Sequence, residues 1–279
     1  MNTATAIKNS DSIAIGGFDG IHVGHQHLFA HLGENGCVVV IDSGFANLTP
    51  KREREKHTHY PFFYFGLENI RHLDVDGFIA LLKTEFPYLK KIVVGYDFHF
   101  GKDRAYTHQD LKEKFEGKVI VVDEVKVNDE SVHSRTIRHK IATAKIKEAN
   151  ALLGHNYLIN GNLIKGQGIG AKELVATVNL HVSDFLLPKE GVYVTVTRVD
   201  DEEHFHPSIS FIGHRVTTDG TFAVETHILD GEIKCEERAC ISFINFIRDN
   251  MKFDSLEALK EQINKDIAIA KKELKMLQL

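Results

Sequence analysis

The chain has 279 residues, a length that favours two domains of ordinary size over one very large domain. Hydrophobic residues make up 43% of the sequence and charged residues 26%, which argues against global disorder. The formal net charge of −5 argues against a protein whose main partner is nucleic acid, and three cysteines without a CxxC spacing argue against a disulfide framework or a zinc site.

The N-terminal segment 1–11 is polar and lacks the apolar stretch of a signal peptide. No apolar run approaches the roughly 20 residues that are needed to cross a bilayer. The sequence therefore predicts a protein without a membrane partner that stays in the cytoplasm, where a reducing environment suits its cysteines.

In the first half of the chain, short apolar runs alternate with segments of helical periodicity. Strands are predicted at 12–18, 37–41, 91–94 and 118–122, and helices at 25–32, 78–86 and 111–115. This order is typical of an α/β domain, Rossmann-like, with a parallel sheet covered by helices on both faces.

The second half has a different pattern. A helix is predicted over 137–153, closed by Gly154 as its C-cap, and the domain boundary is placed just after it, giving domains 1–155 and 156–279. Short runs at 157–164, 192–198, 208–212 and 222–229 then predict a small antiparallel β-barrel, followed by a terminal helix with one apolar face.

The strongest chemical signal is the segment 16–25, which reads GGFDGIHVGH and lies where the first strand turns into the first helix. Ligands bind at the carboxyl ends of parallel strands, and glycines there let the backbone approach phosphates closely. His22 and His25 are three residues apart, so their imidazoles can donate hydrogen bonds to phosphate oxygens. Alone, an HxxH pair is more often a surface feature of an ordinary turn.

The whole segment resembles the HxGH signature of the nucleotidyltransferase superfamily, and in its longer form GxFDGxHxGH it is similar to bacterial bifunctional riboflavin kinase/FAD synthetases. The resemblance implies an FMN adenylyltransferase in the first domain, with His22 and His25 as catalytic residues. It also implies a set of nucleotide- and phosphate-binding residues in the same loop: Gly17, Phe18, Asp19, Gly20 and Gly24.

Two later segments extend the resemblance. The stretch 95–102 is similar to the family's GxDFxFG segment, which implies flavin contacts for Asp97, Phe98 and Phe100. The stretch 134–138 is similar to an SSTxIR-type motif, which implies that Ser134 and Arg138 face the ATP phosphates.

The second domain carries a glycine-rich turn at 165–170 followed by VATVNL at 175–180, and together these resemble the riboflavin kinase module. The resemblance implies phosphate contacts for Gly166, Gly168 and Gly170. It implies Mg²⁺ ligands in Thr177 and Asn179, whose hydroxyl and amide oxygens are suitable hard donors. Two further roles complete the set, with Glu225 as general base and Arg248 as a flavin contact. Arg215 lies in a stretch that occurs in the same order along the chain as in the family, and the resemblance implies an architectural role for it.

The sequence also departs from the family's pattern. After the second strand it reads IDSGFAN at 41–47 in place of a Phe-x-Pro-His-Pro loop, and Ala176 replaces the proline of the kinase motif. The expected function is nevertheless both reactions, with ATP as co-substrate, Mg²⁺ as cofactor, FMN and FAD as products, and a monomer or weak homo-oligomer. Alternatives are another HxGH adenylyltransferase and a flavin-binding regulator that has lost one or both activities.

Overall fold

The computed structural model describes residues 3–164, 177–200, 202–229, 231 and 235–278. Contacts divide the chain into two compact units, Met1–Ser134 and Arg135–Leu279. The predicted division at 155/156 stays a prediction. Within the described residues, no helix is long and apolar enough to cross a membrane.

The first unit is built on a parallel sheet of five strands in the order β3-β2-β1-β4-β7. These strands are β1 (Ser12–Gly16), β2 (Gly36–Asp42), β3 (Phe62–Gly66), β4 (Lys91–Gly95) and β7 (Lys118–Val122). Two small antiparallel ribbons pair β5 (His99–Phe100) with β6 (Tyr106–Thr107) and β8 (Lys126–Val127) with β9 (Glu130–Ser131). The helices are α1 (Thr3–Lys8), α2 (Val23–Phe29), α3 (Leu67–Ile70), α4 (Val75–Glu85) and α5 (His108–Lys114), with short 3-10 helices at Lys51–His57 and Lys102–Arg104.

Both faces of this sheet are covered, which explains why its strands read as continuous apolar runs. Successive residues of β1 enter opposite cores, with Ile13 and Ile15 packed in one cluster and Ala14 in the other. The cluster around Ala14 includes Phe18 and Phe29, so α2 covers that face.

The strand order reverses between β1 and β4, since β2 and β3 extend the sheet on one side and β7 extends it on the other. A crevice opens at the carboxyl ends of strands at such a switch point. Gly16 ends β1 and Gly95 ends β4, so the two loops that follow these glycines both leave the sheet at this position.

The second unit contains a closed antiparallel barrel in the order β10-β11-β14-β13-β12-β15, in which β15 pairs with β10. Its strands are β10 (Leu158–Ile164), β11 (Val178–His181), β12 (Gly191–Val199), β13 (His206–His214), β14 (Phe222–Ile228) and β15 (Arg238–Asp249). The α/β and β architecture expected from the sequence is confirmed.

The barrel interior contains a closed ring of five buried hydroxyl groups. Thr195 contacts Ser208 and Ser210 at 2.7 and 2.8 Å, Thr197 contacts Ser208 and Thr226 at 2.8 and 2.9 Å, and Ser210 donates to Thr226 at 3.0 Å. Each hydroxyl can donate to one neighbour and accept from the other, so the ring satisfies all five without water. On β12 the alternate residues Val192, Val194 and Val196 pack against the terminal helix instead.

The remaining helices are α6 (Ser134–Ala142), α7 (Ile146–Leu153) and the terminal α8 (Leu256–Met276). The single helix expected over 137–153 is wrong, because α6 ends in a Schellman motif. Ala144 has a left-handed φ of 60°, its N–H donates to Ile141 O, and Lys145 N–H donates to Lys140 O at 2.8 Å. Gly154 closes α7 in the left-handed conformation, as expected.

Candidate active sites

The loop after β1 is held in an unusual backbone conformation by two buried side chains. Phe18 and Ile21 have φ values of 49° and 42°, and both side chains are inserted into the core. Gly20 between them has a φ of 92°, which a residue with a Cβ rarely adopts. A Cβ added at Gly17 would meet no atom within 4 Å, so that part of the backbone borders open space.

His22 and His25 are brought together at the start of α2. The Nδ1 atom of His22 accepts the backbone N–H of His25 at 3.3 Å, and the two rings stack with centroids 3.5 Å apart. Gly24 favours this arrangement, because a Cβ there would lie 3.2 Å from the His22 ring, closer than an ordinary van der Waals contact. The glycine of the HxGH pattern therefore has a steric reason that the sequence alone did not supply.

His25 is poised as a neutral imidazole. Loss of hydration first, and then the charges of His22 and Arg54, hold the pKa of His25 well below its ordinary value of 6.5. Its Nδ1 atom is inaccessible to solvent and has no hydrogen-bond partner among the described residues. Buried polar atoms are rarely left unpaired, so this nitrogen is a candidate ligand contact.

Asp19 fastens the first loop to the segment that follows β2. Its carboxylate accepts the backbone N–H groups of Asn47, Leu48 and Thr49 at 3.3, 3.0 and 2.9 Å. Gly20 N–H donates to Thr49 Oγ1 at 2.7 Å. The altered segment 41–47 is therefore tied directly to the HxGH loop, and the nucleotide contacts expected of these residues stay predictions.

The other residues expected in the adenylylation site have mixed surroundings. Ser134 donates its hydroxyl to Asp19 O at 2.8 Å, so it supports the backbone of the first loop. Phe98 and Phe100 are buried in the core with ring centroids 5.7 Å apart, whereas Asp97 is exposed. Arg138 is half-buried on α6. Their flavin and phosphate contacts stay predictions.

The barrel brings together Asn179 and Glu225, which are direct partners on the paired strands β11 and β14. The Asn179 amide nitrogen lies 3.5 Å from Thr177 Oγ1, so all three residues expected to carry the kinase chemistry lie at one place. Glycines 166, 168 and 170 lie outside the described residues.

Arg215 joins this group, although the resemblance implied only an architectural role for it. Its Nε donates to Glu225 Oε1 at 2.7 Å and its Nη2 donates to Asn179 Oδ1 at 2.6 Å. A third contact runs from Nη1 to Thr221 Oγ1 at 3.0 Å. Asn179, Arg215 and Thr221 line a pocket of about 400 Å³. Sequence spacing could not reveal Arg215, because strand pairing and a turn are needed to bring it to Glu225.

Arg248 has a partner in the terminal helix. Its guanidinium donates to the buried Asp266 carboxylate, with Nη2 2.7 Å from Oδ2, and it lies over the Phe253 ring. This pair links β15 to α8. The flavin contact expected of Arg248 stays a prediction.

Comparisons with known proteins agree with both halves of this description. A family model described as riboflavin kinase matches residues 153–274. Bifunctional riboflavin kinase/FMN adenylyltransferases from Listeria monocytogenes and Pseudomonas fluorescens are each 29% identical to the chain. These matches cover 91% and 92% of this chain and 89% and 91% of the relatives. The Escherichia coli protein of the same description is 26% identical, with 95% and 93% covered.

A solved structure titled as a macrolide-efflux protein from Streptococcus pneumoniae is also similar. It is 28% identical, matches 94% of each chain and has a TM-score of 0.82. The likeness therefore extends through both units of the chain. The chain is therefore similar over most of its length to bifunctional riboflavin kinase/FMN adenylyltransferases, and its residues 153–274 match the riboflavin kinase family model.

Proposed function

We propose that this chain phosphorylates riboflavin with ATP to give FMN and then adenylylates FMN with a second ATP to give FAD. The observation that carries the proposal is the pairing of Glu225 with Asn179 inside the segment that matches riboflavin kinase. A base and a hard oxygen donor on adjacent strands are what transfer of a phosphoryl group to an alcohol requires.

In the kinase half, Glu225 accepts the proton of the riboflavin 5′-hydroxyl as that oxygen attacks the γ-phosphorus of ATP. The new P–O bond forms while the bond from the γ-phosphorus to the bridging oxygen breaks, and ADP leaves. Arg215 contacts Oε1 of Glu225 through Nε at 2.7 Å, so it fixes where the carboxylate points. Little covalent chemistry falls to the protein beyond this positioning.

Mg²⁺ belongs to the same proposal. The donor set fits this ion, because Thr177 and Asn179 offer a hydroxyl and an amide oxygen. In this structure Asn179 Oδ1 accepts a hydrogen bond from the Arg215 guanidinium at 2.6 Å. Bound Mg²⁺ would neutralise charge on the ATP phosphates. Arg215 must then give up or share its contact with Asn179.

In the adenylylation half, an oxygen of the FMN phosphate attacks the α-phosphorus of ATP and pyrophosphate leaves, so no protein nucleophile is needed. His22 and His25 would stabilise the charge that develops on the phosphate oxygens. Their stacked arrangement, for which Gly24 leaves room, supports that role. We also propose a monomer or weak homo-oligomer that acts in the cytoplasm.

The test is chromatography of flavins after the purified chain is incubated with riboflavin, ATP and Mg²⁺, and separately with FMN, ATP and Mg²⁺. We expect FMN and FAD from riboflavin and FAD from FMN. FAD from FMN without any FMN from riboflavin would contradict the kinase half. Tight flavin binding without turnover would favour the regulator instead, and turnover of a different phosphorylated acceptor would favour another HxGH adenylyltransferase.

A further inference from the structure

Arg54 is a buried charge that the sequence patterns did not single out. It lies on the 3-10 helix Lys51–His57, whose other charged residues are at least partly exposed, yet Arg54 itself is only 1% exposed. Arginine is almost never fully buried unless it is paired. A buried guanidinium in the first unit therefore requires an explanation.

The described residues supply no anion for it. Nη1 of Arg54 donates to Lys51 O at 3.1 Å, and Nε has no hydrogen-bond partner. The Tyr64 hydroxyl forms a hydrogen bond with Arg54 but is a neutral partner, because burial first and the Glu55 carboxylate second raise the pKa of Tyr64 to about 12. Glu55 in turn accepts the Tyr64 hydroxyl at 3.1 Å.

The backbone of the segment that carries Arg54 is strained. Lys51 has a left-handed φ of 51°, a conformation that costs free energy in a residue other than glycine. That conformation places the Lys51 carbonyl within reach of Arg54. A strained turn beside a buried cation that has no ion-pair partner among the described residues is more typical of a binding site than of a stabilising core.

Arg54 follows a segment that is fastened to the HxGH loop, because Thr49 accepts the Gly20 N–H at 2.7 Å and donates its own N–H to Asp19 at 2.9 Å. The charge of Arg54 contributes to the lowered pKa of His25, and His25 Nδ1 is itself buried and unpaired. The two groups together present two unsatisfied nitrogens and one permanent positive charge. An anionic ligand would satisfy both, whereas a neutral ligand would leave the guanidinium charge uncompensated.

We propose that Arg54 binds the polyphosphate of ATP in the adenylylation site and is a nucleotide-binding residue there beside His22 and His25. This inference rests on the proposed function, because it assigns a further ligand to one of its two reactions. A planar guanidinium is suited to phosphate oxygens through paired hydrogen bonds.

The experiment compares Arg54→Met with Arg52→Met, a matched control on the same 3-10 helix whose side chain is 84% exposed. FAD formation from FMN and FMN formation from riboflavin are measured in each preparation as functions of ATP concentration. For Arg54→Met we expect a KM for ATP raised about tenfold or more in adenylylation and unchanged in riboflavin phosphorylation. Arg52→Met should match the wild type in both reactions.

The melting temperature separates a binding role from a structural one. If Arg54 serves a ligand, Arg54→Met should melt at the wild-type temperature or above, because a buried cation that has no ion-pair partner among the described residues is replaced by an apolar chain. A lowered melting temperature with an unchanged KM for ATP would overturn the proposal. If the methionine variant does not fold, Arg54→Lys is used instead, since lysine keeps the positive charge but lacks the planar guanidinium. A wild-type KM for ATP in Arg54→Lys would also overturn the proposal.

A wild-type chain that forms no FAD would contradict the proposed function and not this assignment. In that case calorimetry with inorganic tripolyphosphate tests Arg54 directly. Binding by the wild-type chain that is weakened about tenfold in Arg54→Met, but not in Arg52→Met, would support the assignment. Equal binding by all three proteins would refute it.

Discussion

Glu225→Gln is the substitution that tests the kinase site most directly. Glutamine has nearly the shape of glutamate and keeps an oxygen that can accept from Arg215, but it cannot take up a proton at neutral pH. The geometry of the site should therefore persist while the general base is lost. We expect riboflavin phosphorylation to fall and FMN adenylylation to remain at its wild-type rate.

The expected size follows from what a general base supplies. Such groups contribute roughly 10²- to 10⁴-fold in rate, which is about 3–5 kcal/mol of the activation barrier. The effect on folding should be much smaller. The Glu225 and Arg215 side chains are each 20% exposed, so loss of their ion pair should cost about 1 kcal/mol of unfolding free energy after screening by solvent.

The assay is the initial rate of FMN formation from riboflavin, with FAD formation from FMN in the same preparation as an internal standard. Glu203→Gln, an exposed carboxylate in the loop between β12 and β13, is the control and should change neither rate. Glu225→Asp should fall between the wild type and glutamine. Phosphorylation by Glu225→Gln within a few-fold of the wild type would refute the assignment of the base, and an equal loss of both reactions would indicate unfolding instead.

Three further predictions follow from other parts of the structure. Gly24→Ala should lower FAD formation roughly tenfold, because the new Cβ would lie 3.2 Å from the His22 ring and displace it. The melting temperature should not fall, because alanine favours the helix. An unchanged rate would contradict the steric reason given for this glycine. The pKa of His25 is lower in the folded chain than its ordinary 6.5, so the unfolded chain binds more protons below about pH 6.5 and stability should fall as the pH is lowered through this range. Melting temperatures measured at a series of pH values should show a smaller decrease for His25→Gln. An identical pH dependence in the variant would disprove the burial of a neutral imidazole. Thr195→Val should lower the free energy of unfolding, measured in urea, by roughly 1–3 kcal/mol, because two hydroxyls of the barrel ring each lose one hydrogen-bond partner. An unaltered unfolding midpoint would show that the ring contributes nothing to stability.

The fold class could be predicted from the sequence because the signals that define it are local. The β-branched run of β2 indicates a strand covered on both faces, and the change to short runs after Gly154 indicates a new architecture. The break between α6 and α7 could not be predicted in this way. A Schellman motif usually ends in glycine or asparagine, and here Ala144 occupies the left-handed position.

The candidate sites were predictable only where the chemistry lies within one motif. His22 and His25 are three residues apart, so the sequence predicts that they share a site, and the structure places their rings in contact. Arg54 and Arg215 could not be found in this way. Arg215 reaches Glu225 across a turn and a strand, and Arg54 is distinguished from its charged neighbours only by burial.

The GGFDGIHVGH segment shows why a strong motif can still mislead about individual residues. Phe18 and Ile21 anchor the loop in the core, Asp19 holds the segment after β2, and Gly24 leaves room for the His22 ring. Each of these positions has a structural reason for its residue, whatever ligand is bound. We propose phosphate chemistry for the two histidines, whose rings are in contact, and the buried Arg54, whose Nε has no hydrogen-bond partner among the described residues, would supply the positive charge that the motif itself lacks.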